Sequence, residues 1–264
     1  MTLPLFFLPP QHRDDHSLAT LNVGERATLT GESAKHLQVM RLGVGDLFDL
    51  SDGSGFRLTG EVQGQQGAEI IFSVATPWHA DPPSACELVV VQALAKSGDD
   101  ESALHSMIEV GATEIIPWQA DRSIVRWKGP KAQKGQQKWS QLALAAAKQS
   151  RRATLPKVHD MATTKQLVAK VAQATEAGEL VLICHEAADL KATLDRLIPA
   201  KLPPKIWLIV GPEGGISDSE IEALQSAGGK LCRLGWAVLR AATAATVALS
   251  QLQLLIATPS AKDC

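Results

Sequence analysis

The chain has 264 residues, 26 basic against 28 acidic side chains, and 45% hydrophobic residues. That length allows one large or two modest domains with a proper core and no covalent staples. The near-neutral balance, four scattered cysteines without a CxxC pair, and no long apolar run argue against general polyanion binding, a disulfide framework and a membrane span. Seven histidines without HxxxH or HxxH spacing give no metal site.

The start, Met1 to Pro10, is apolar but short, with no basic flank or small-residue cleavage site, so it predicts a strand rather than a signal peptide. Short runs at 26–30, 47–50, 56–60 and 69–74 are separated by glycine turns at Gly24, Gly45, Gly53, Gly55 and Gly64, a spacing that predicts a small barrel or sandwich. A helical patch over 33–42 interrupts them. Residues 76–85 are Pro-rich and predict a linker. From 86 to 264 the rhythm changes. Strands over 88–93, 114–118, 180–184, 206–210 and 230–234 alternate with helices over 99–110, 131–150, 163–177, 190–198, 217–228 and 241–257. That alternation predicts an α/β domain with a mainly parallel sheet covered on both faces.

The most informative stretch is Lys205 to Glu220. A buried strand stops at Gly211-Pro212-Glu213-Gly214-Gly215, and Ser217 with Glu220 has the capping-box spacing that starts a helix. Glycines between a strand end and a helix start let the backbone approach a ligand, at the edge where open α/β sheets bind them. The loop is neither GxGxxG nor GK[ST], and Glu213 would repel a phosphate, so a neutral or cationic ligand suits it better. A structural turn is the bland alternative. A second loop, Leu234 to Ala244, places Arg240 at the start of an apolar helix. A cation there opposes the macrodipole and calls for an anion, either a local acid or a ligand. Between Asp121 and Asp160 there is no acid, while Arg122, Arg126, Lys128, Lys131, Lys134, Lys138, Lys148, Arg151, Arg152 and Lys157 all fall there. This segment is either a solvated helix face or a local polyanion site.

Together these residues resemble the SPOUT methyltransferases that methylate uridine N3 in small-subunit ribosomal RNA (the RsmE type). The resemblance runs over almost the whole chain. It is carried by His36-Leu-Gln-Val-Met-Arg-Leu42 with Gly45-Asp46; by Ala95-Lys96, Glu109-Val-Gly111, Ile116-Pro-Trp118 and Asp121-Arg-Ser123; and by Ala145-Ala-Ala-Lys-Gln-Ser-Arg151, Leu182-Ile-Cys-His-Glu-Ala187, the glycine loop and Leu234-Gly to Arg240. It implies a PUA-like RNA-binding β-barrel over 1–75 and a SPOUT domain with a C-terminal trefoil knot over 86–264. It also implies a cytoplasmic homodimer that uses S-adenosylmethionine and no metal, acting on a specific uridine of 16S rRNA in the small subunit. By the same resemblance the cofactor meets Leu182, His185, Gly211, Glu213, Gly214, Gly215, Ile216, Leu234, Gly235, Val238, Leu239 and Thr243. RNA meets His36, Arg41, Arg122, Arg126, Lys148, Gln149, Arg151 and Arg152.

The implied chemistry is direct methyl transfer, with Arg240 stabilising the uracil anion or placing the substrate and Glu213 a candidate base. Ala241 stands where the family usually has a threonine, and Trp236 where it often has proline. Asp99 and Asp100 follow Lys96-Ser97-Gly98, where a basic residue is usual. A tRNA ribose 2′-O-methyltransferase of the same class and an RNA-binding homologue with impaired catalysis stay open as alternatives.

Overall fold

The structure is a computed structural model that describes residues 3–8, 20–81, 84–96 and 98–257. Pro82, Pro83, Ser97 and Cys264 lie outside the described residues. The chain divides into two compact units. One comprises Met1–Pro83 with Ala147–Leu155, the other Ser84–Ala146 with Pro156–Cys264.

The first unit contains β1 (Leu5–Phe7), β2 (Arg26–Leu29), α1 (Gly31–Val39), β3 (Leu47–Ser51), β4 (Phe56–Gln66) and β5 (Glu69–Ala80). Its strands form one mixed sheet in the order β1-β3-β4-β5-β2. Alternating buried positions along β4 and β5 point into one core with Phe6, Leu37, Phe48 and Phe72, and the rings of Phe6, Phe48 and Phe72 meet edge to face. The expected linker at 76–85 is corrected in part. Residues 76–80 continue β5, because Ala80 and His79 pair with Phe56 and Arg57 despite the prolines. Pro77 is accommodated where the β4–β5 register shifts.

Arg57 on β4 ties this unit together. It donates to Asp49 at 3.1 Å, to Asp81 at 2.7 Å through Nε, and to the carbonyl of Arg151 at 3.0 Å. The expectation that 86–264 form one continuous domain is likewise modified, since Ala147–Leu155 count with the first unit. There Leu155 and Gly53 share a backbone bond, and the Ser51 hydroxyl donates to Ala153 at 2.7 Å.

The second unit contains β6 (Glu87–Ala93), α2 (Asp99–Glu109), β7 (Glu114–Gln119), α3 (Pro130–Gln149, whose residues from Ala147 on count with the first unit), β8 (Lys157–Val158), β9 (Ala162–Thr163), α4 (Thr164–Glu176), β10 (Leu180–Cys184), α5 (Leu194–Leu197), β11 (Lys205–Val210), α6 (Asp218–Ser226), β12 (Lys230–Cys232) and α7 (Ala241–Ala257). All its strand pairs are parallel, in the order β12-β10-β11-β6-β7-β8, with β9 also on β7. Successive residues of β6 and β11 alternate between two cores. Leu88, Val90, Ile206 and Leu208 face α2, α3, α5 and α7, whereas Val89, Val91 and Ile209 face α4 and α6. This double burial is why these strands read as near-continuous apolar runs.

The helix expected over 190–198 is only Leu194–Leu197. Asp189 accepts the Lys191 N–H at 2.7 Å, and the carbonyl of Ala192 is taken by Arg233 at 2.8 Å, so the start of that segment is a side-chain-stabilised turn.

At the amino ends of the strands, Lys205 lies 2.7 Å from Glu87 and also bonds Glu114, which His159 shares. Burial alone would raise the Glu114 carboxyl. Hydrogen bonds from Lys205 and His159 outweigh it and hold the group below the usual carboxylate range. With a folded value under the unfolded one of about 4.3, the stabilisation is present above that pH and is lost as pH falls through the folded value. Glu114→Gln is expected to lower Tm at pH 7 by roughly 3–8 °C and to flatten its fall in acid. Melting curves from neutral pH into acid check this, and a variant that tracks the parent throughout removes the cluster from the stability of the fold.

Candidate active site

The loops that leave the carboxyl ends of β6, β7, β10, β11 and β12 gather at one edge of the parallel sheet, where the sequence placed the ligand site. One half of the rim is built by three of them. The β11 loop turns at Gly215 with φ 74°, and its Glu213 carboxylate accepts the Lys96 backbone N–H of the β6 loop at 3.0 Å. From the β7 loop, Arg122 donates to the Gly214 carbonyl at 3.3 Å, and Asp121 accepts from the Ser217 hydroxyl at 3.2 Å.

Beneath these contacts lies Glu220, 2% exposed. One of its oxygens accepts the Asp121 N–H at 2.9 Å and the Thr164 hydroxyl at 2.7 Å. The other takes the Ser217 N–H at 3.0 Å and the Ser217 hydroxyl at 2.9 Å, closing the expected capping box. The glycines are required by space. A Cβ on Gly211 would come within 2.6 Å of the Ile216 side chain, and one on Gly214 within 3.1 Å of Arg122.

The other half joins the β10 and β12 loops. His185 donates its backbone N–H to Cys232 at 3.1 Å, and its Nδ1 accepts from Ala187 at 3.1 Å. Arg233 spreads its guanidinium over the carbonyls of Glu186 at 2.6 Å, Gly235 at 2.9 Å and Trp236 at 3.4 Å. Gln251 of α7 holds the Leu234 carbonyl at 3.0 Å. The Cys184 thiol is held well above its ordinary value by sharing a hydrogen bond with Cys232 and by burial, so it stays a neutral apolar floor.

Between the halves opens a cleft of about 720 Å³, within the range of ligand sites. Its lining includes Lys96, Arg122, His185, Glu213, Leu239 and Arg240. A smaller recess beside it has a mainly apolar wall of Cys184, Leu234, Val238, Leu239 and Ala244 with Gly235, and His185, Glu186 and Arg233 on its polar side. Arg240 immediately precedes α7 and is exposed. Among the described residues no carboxylate lies within ion-pair distance of Arg240, Arg122 or Lys96. The local acid offered as the bland partner of Arg240 is therefore not found there.

Of the residues expected at the cofactor, His185, Glu213, Gly214, Gly215, Ile216, Leu234, Gly235, Val238 and Leu239 line these spaces. Leu182 does not, being wholly buried in the core, and neither do Gly211 and Thr243. Gly211 acts from behind the loop, and Thr243 is exposed on the first turn of α7. Arg233 was not singled out by sequence, and Glu220 was expected only as the capping-box partner of Ser217. A charged residue completing a capping box is an ordinary surface signal, and only burial reveals Glu220 as a junction.

Of the residues expected at RNA, Arg122 lines the cleft, and Arg126 is exposed with a hydrogen bond to the Asp121 carbonyl at 2.6 Å. The rest fall in the first unit. His36 packs edge-on against Phe6 at 5.5 Å. Lys148 and Arg152 are half-buried and Gln149 is exposed. Arg41 and Arg151 both have φ 58° and stand just past the ends of α1 and α3.

An RNA methyltransferase domain family matches residues 82–253, and an RNA methyltransferase PUA domain family matches residues 29–73. The chain is 38% identical to the Ribosomal RNA small subunit methyltransferase E of Mycobacterium bovis, over 92% of each chain. It is 29% identical to the protein of the same name in Bacillus subtilis, over 85% of this chain and 88% of that one. Among solved structures, a methyltransferase from Legionella pneumophila in complex with bound SAM superposes with a TM-score of 0.78 at 27% identity, covering 96% of this chain and 98% of that one. A Ribosomal RNA small subunit methyltransferase E from Neisseria gonorrhoeae bound to S-adenosyl methionine gives 0.79 at 24% identity with the same coverages. The fold is thus the SPOUT trefoil-knot type with a small PUA-like β domain, and the chain belongs to the ribosomal RNA small subunit methyltransferase E family.

Proposed function

We infer that this protein transfers a methyl group from S-adenosylmethionine to N3 of a specific uridine in the 16S rRNA of the small ribosomal subunit. The carrying observation is the cleft itself, a glycine-walled space at the sheet's carboxyl edge whose cations form no ion pair among the described residues, in a chain of this family. The residues fit the cofactor. The recess suits an adenine, and Gly214 and Gly215 present backbone, not side chains, to whatever enters the cleft.

When bound, the cofactor supplies a methyl already activated on a sulfonium. The chain's own groups must deal with the uracil, whose N3 is a poor nucleophile while protonated. Arg240, at the cleft wall with no ion-pair partner among the described residues, stabilises the anion that spreads over O2 and O4. Glu213 has one oxygen occupied by the Lys96 N–H, which orders the loop, and its other oxygen is the candidate proton acceptor. Incubation with labelled S-adenosylmethionine and small subunits from a strain lacking the enzyme, followed by mapping of the modified base, tests this. Label in tRNA ribose, or no cofactor binding by calorimetry, would replace the reading by one of the two alternatives.

The first unit is proposed as the RNA-binding part, and its two strained arginines support this. Arg41 and Arg151 take the left-handed position that ends a helix, with bonds from Leu42 to Leu37 and from Arg152 to Ala147 in the Schellman pattern. Glycine is the usual choice there, and a side chain costs about 1 kcal/mol. Strain of this kind concentrates at functional positions. Arg41→Gly and Arg151→Gly are each expected to leave Tm unchanged or higher while weakening binding to rRNA several-fold. A filter-binding series at fixed salt checks this, and unchanged affinity would return both residues to a structural role.

A homodimer in the cytoplasm is part of the same proposal. Exposed Leu190 and Leu254 offer apolar surface to a second copy, and sedimentation measures it. Among the described residues no helix is long and apolar enough to cross a membrane.

A further inference from the structure

We propose that Trp236 is a stacking platform for an unpaired base of the RNA substrate beside the reacting uridine. The inference rests on the reading of the chain as an RNA methyltransferase and adds a substrate-binding residue to it. Trp236 is 91% exposed, the most exposed of the protein's large apolar side chains among the described residues. Its neighbours Gly235, Ala237 and Val238 line the apolar recess, so the indole stands at the rim of the site. The loop that carries it is held in place, because Arg233 donates to the Gly235 and Trp236 carbonyls and anchors to Glu186 in the β10 loop. A rigid backbone presents the ring without an ordering penalty on binding.

Lys96, Arg122 and Arg240 line the cleft together with Glu186, Glu213 and Asp218. None of the three cations is ion-paired among the described residues, so each is left to meet a phosphate of the RNA chain. A modifying enzyme must also expose its target base, which leaves a neighbouring base unstacked. An indole offers the π-face that such a base requires, and cations for phosphate interleaved with an aromatic for bases are the pattern of single-strand RNA binding.

The remaining tryptophans are buried or half-buried, so acrylamide-accessible emission reports chiefly on Trp236. Titration with small ribosomal subunits lacking the modification is expected to shield that emission. Trp236→Ala is expected to raise the subunit KM by roughly 5- to 150-fold, with the affinity for S-adenosylmethionine kept, and Trp236→Phe to recover most of the loss. An unchanged KM and unshielded emission would overturn the proposal. So would a shift from dimer to monomer on sedimentation of Trp236→Ala, which would assign the indole to a second copy of the chain. Wild-type protein that is shielded by subunits yet methylates nothing would refute the methyltransferase reading and leave the stacking intact.

Discussion

Arg240→Ala is expected to lower the rate of methyl transfer by about 10²–10³-fold while the affinity for S-adenosylmethionine and the melting temperature hold. The separation follows from where the residue stands. Arg240 immediately precedes α7, its carbonyl accepts the N–H groups of Thr243 and Ala244, and its side chain lines the cleft with no ion-pair partner among the described residues. Alanine keeps the backbone bonds that start the helix. It also removes a cation from the positive end of the helix dipole, which does not favour the cation in the absence of an anion. The fold therefore gains nothing from the charge, and the reacting uracil does. As N3 loses its proton, negative charge grows on the ring oxygens, and a guanidinium held beside them stabilises that charge more than it stabilises the neutral base. Single-turnover assays with saturating cofactor and small subunits measure the chemical step, and calorimetry measures the cofactor separately. Turnover equal to the parent's would remove Arg240 from the mechanism. Loss of cofactor binding in parallel would move it to the cofactor's side of the cleft.

The parallel sheet was legible because its strands are buried on both faces, so β6, β10 and β11 appear as unbroken apolar runs flanked by glycines and caps. The glycine loop was legible for a related reason, since only a close backbone approach explains Gly211, Gly214 and Gly215 between a strand and a capping box. Two-residue strands such as β8 and β9 carry no periodicity and could not be read. Nor could the return of Ala147–Leu155 to the first unit, which depends on bonds to Gly53 and Ser51 from far along the chain. Inside the site, residue type pointed to Arg240 but not to Arg233. Both are arginines near a loop, and only the structure shows one open to the cleft and the other spent on backbone carbonyls. Leu182 illustrates the opposite failure. It belongs to a motif at the site, yet strand alternation turns its side chain into the core.

Glu220→Ala is expected to weaken cofactor binding by more than about 10-fold and to cost roughly 3–5 kcal/mol of stability. The carboxylate is buried and saturated with partners drawn from three separate segments: Asp121 after β7, Thr164 at the start of α4, and Ser217 at the start of α6. Its removal leaves the Asp121 and Ser217 N–H groups without their acceptor beside a position that is buried in the parent, and each donor left unpaired costs about 1–3 kcal/mol. The consequence for binding comes through geometry. Ser217 ends the glycine loop, and Asp121 precedes the arginine that bonds the Gly214 carbonyl. Freeing both ends lets the cofactor wall and the cation beside it move independently, and binding must then supply the ordering that the fold had supplied.

Glu220→Gln separates shape from acceptor number. The amide preserves the volume and one oxygen, but its NH₂ cannot accept, so the backbone N–H of either Asp121 or Ser217 loses its acceptor while the hydroxyl beside it can turn to accept from the NH₂. Its melting temperature should lie between those of the parent and the alanine variant, and its cofactor affinity should do the same. Thermal denaturation with and without S-adenosylmethionine, run beside calorimetry, reads both quantities. If the alanine variant melts lower yet binds cofactor as tightly as the parent, Glu220 holds the helices together without positioning the loop.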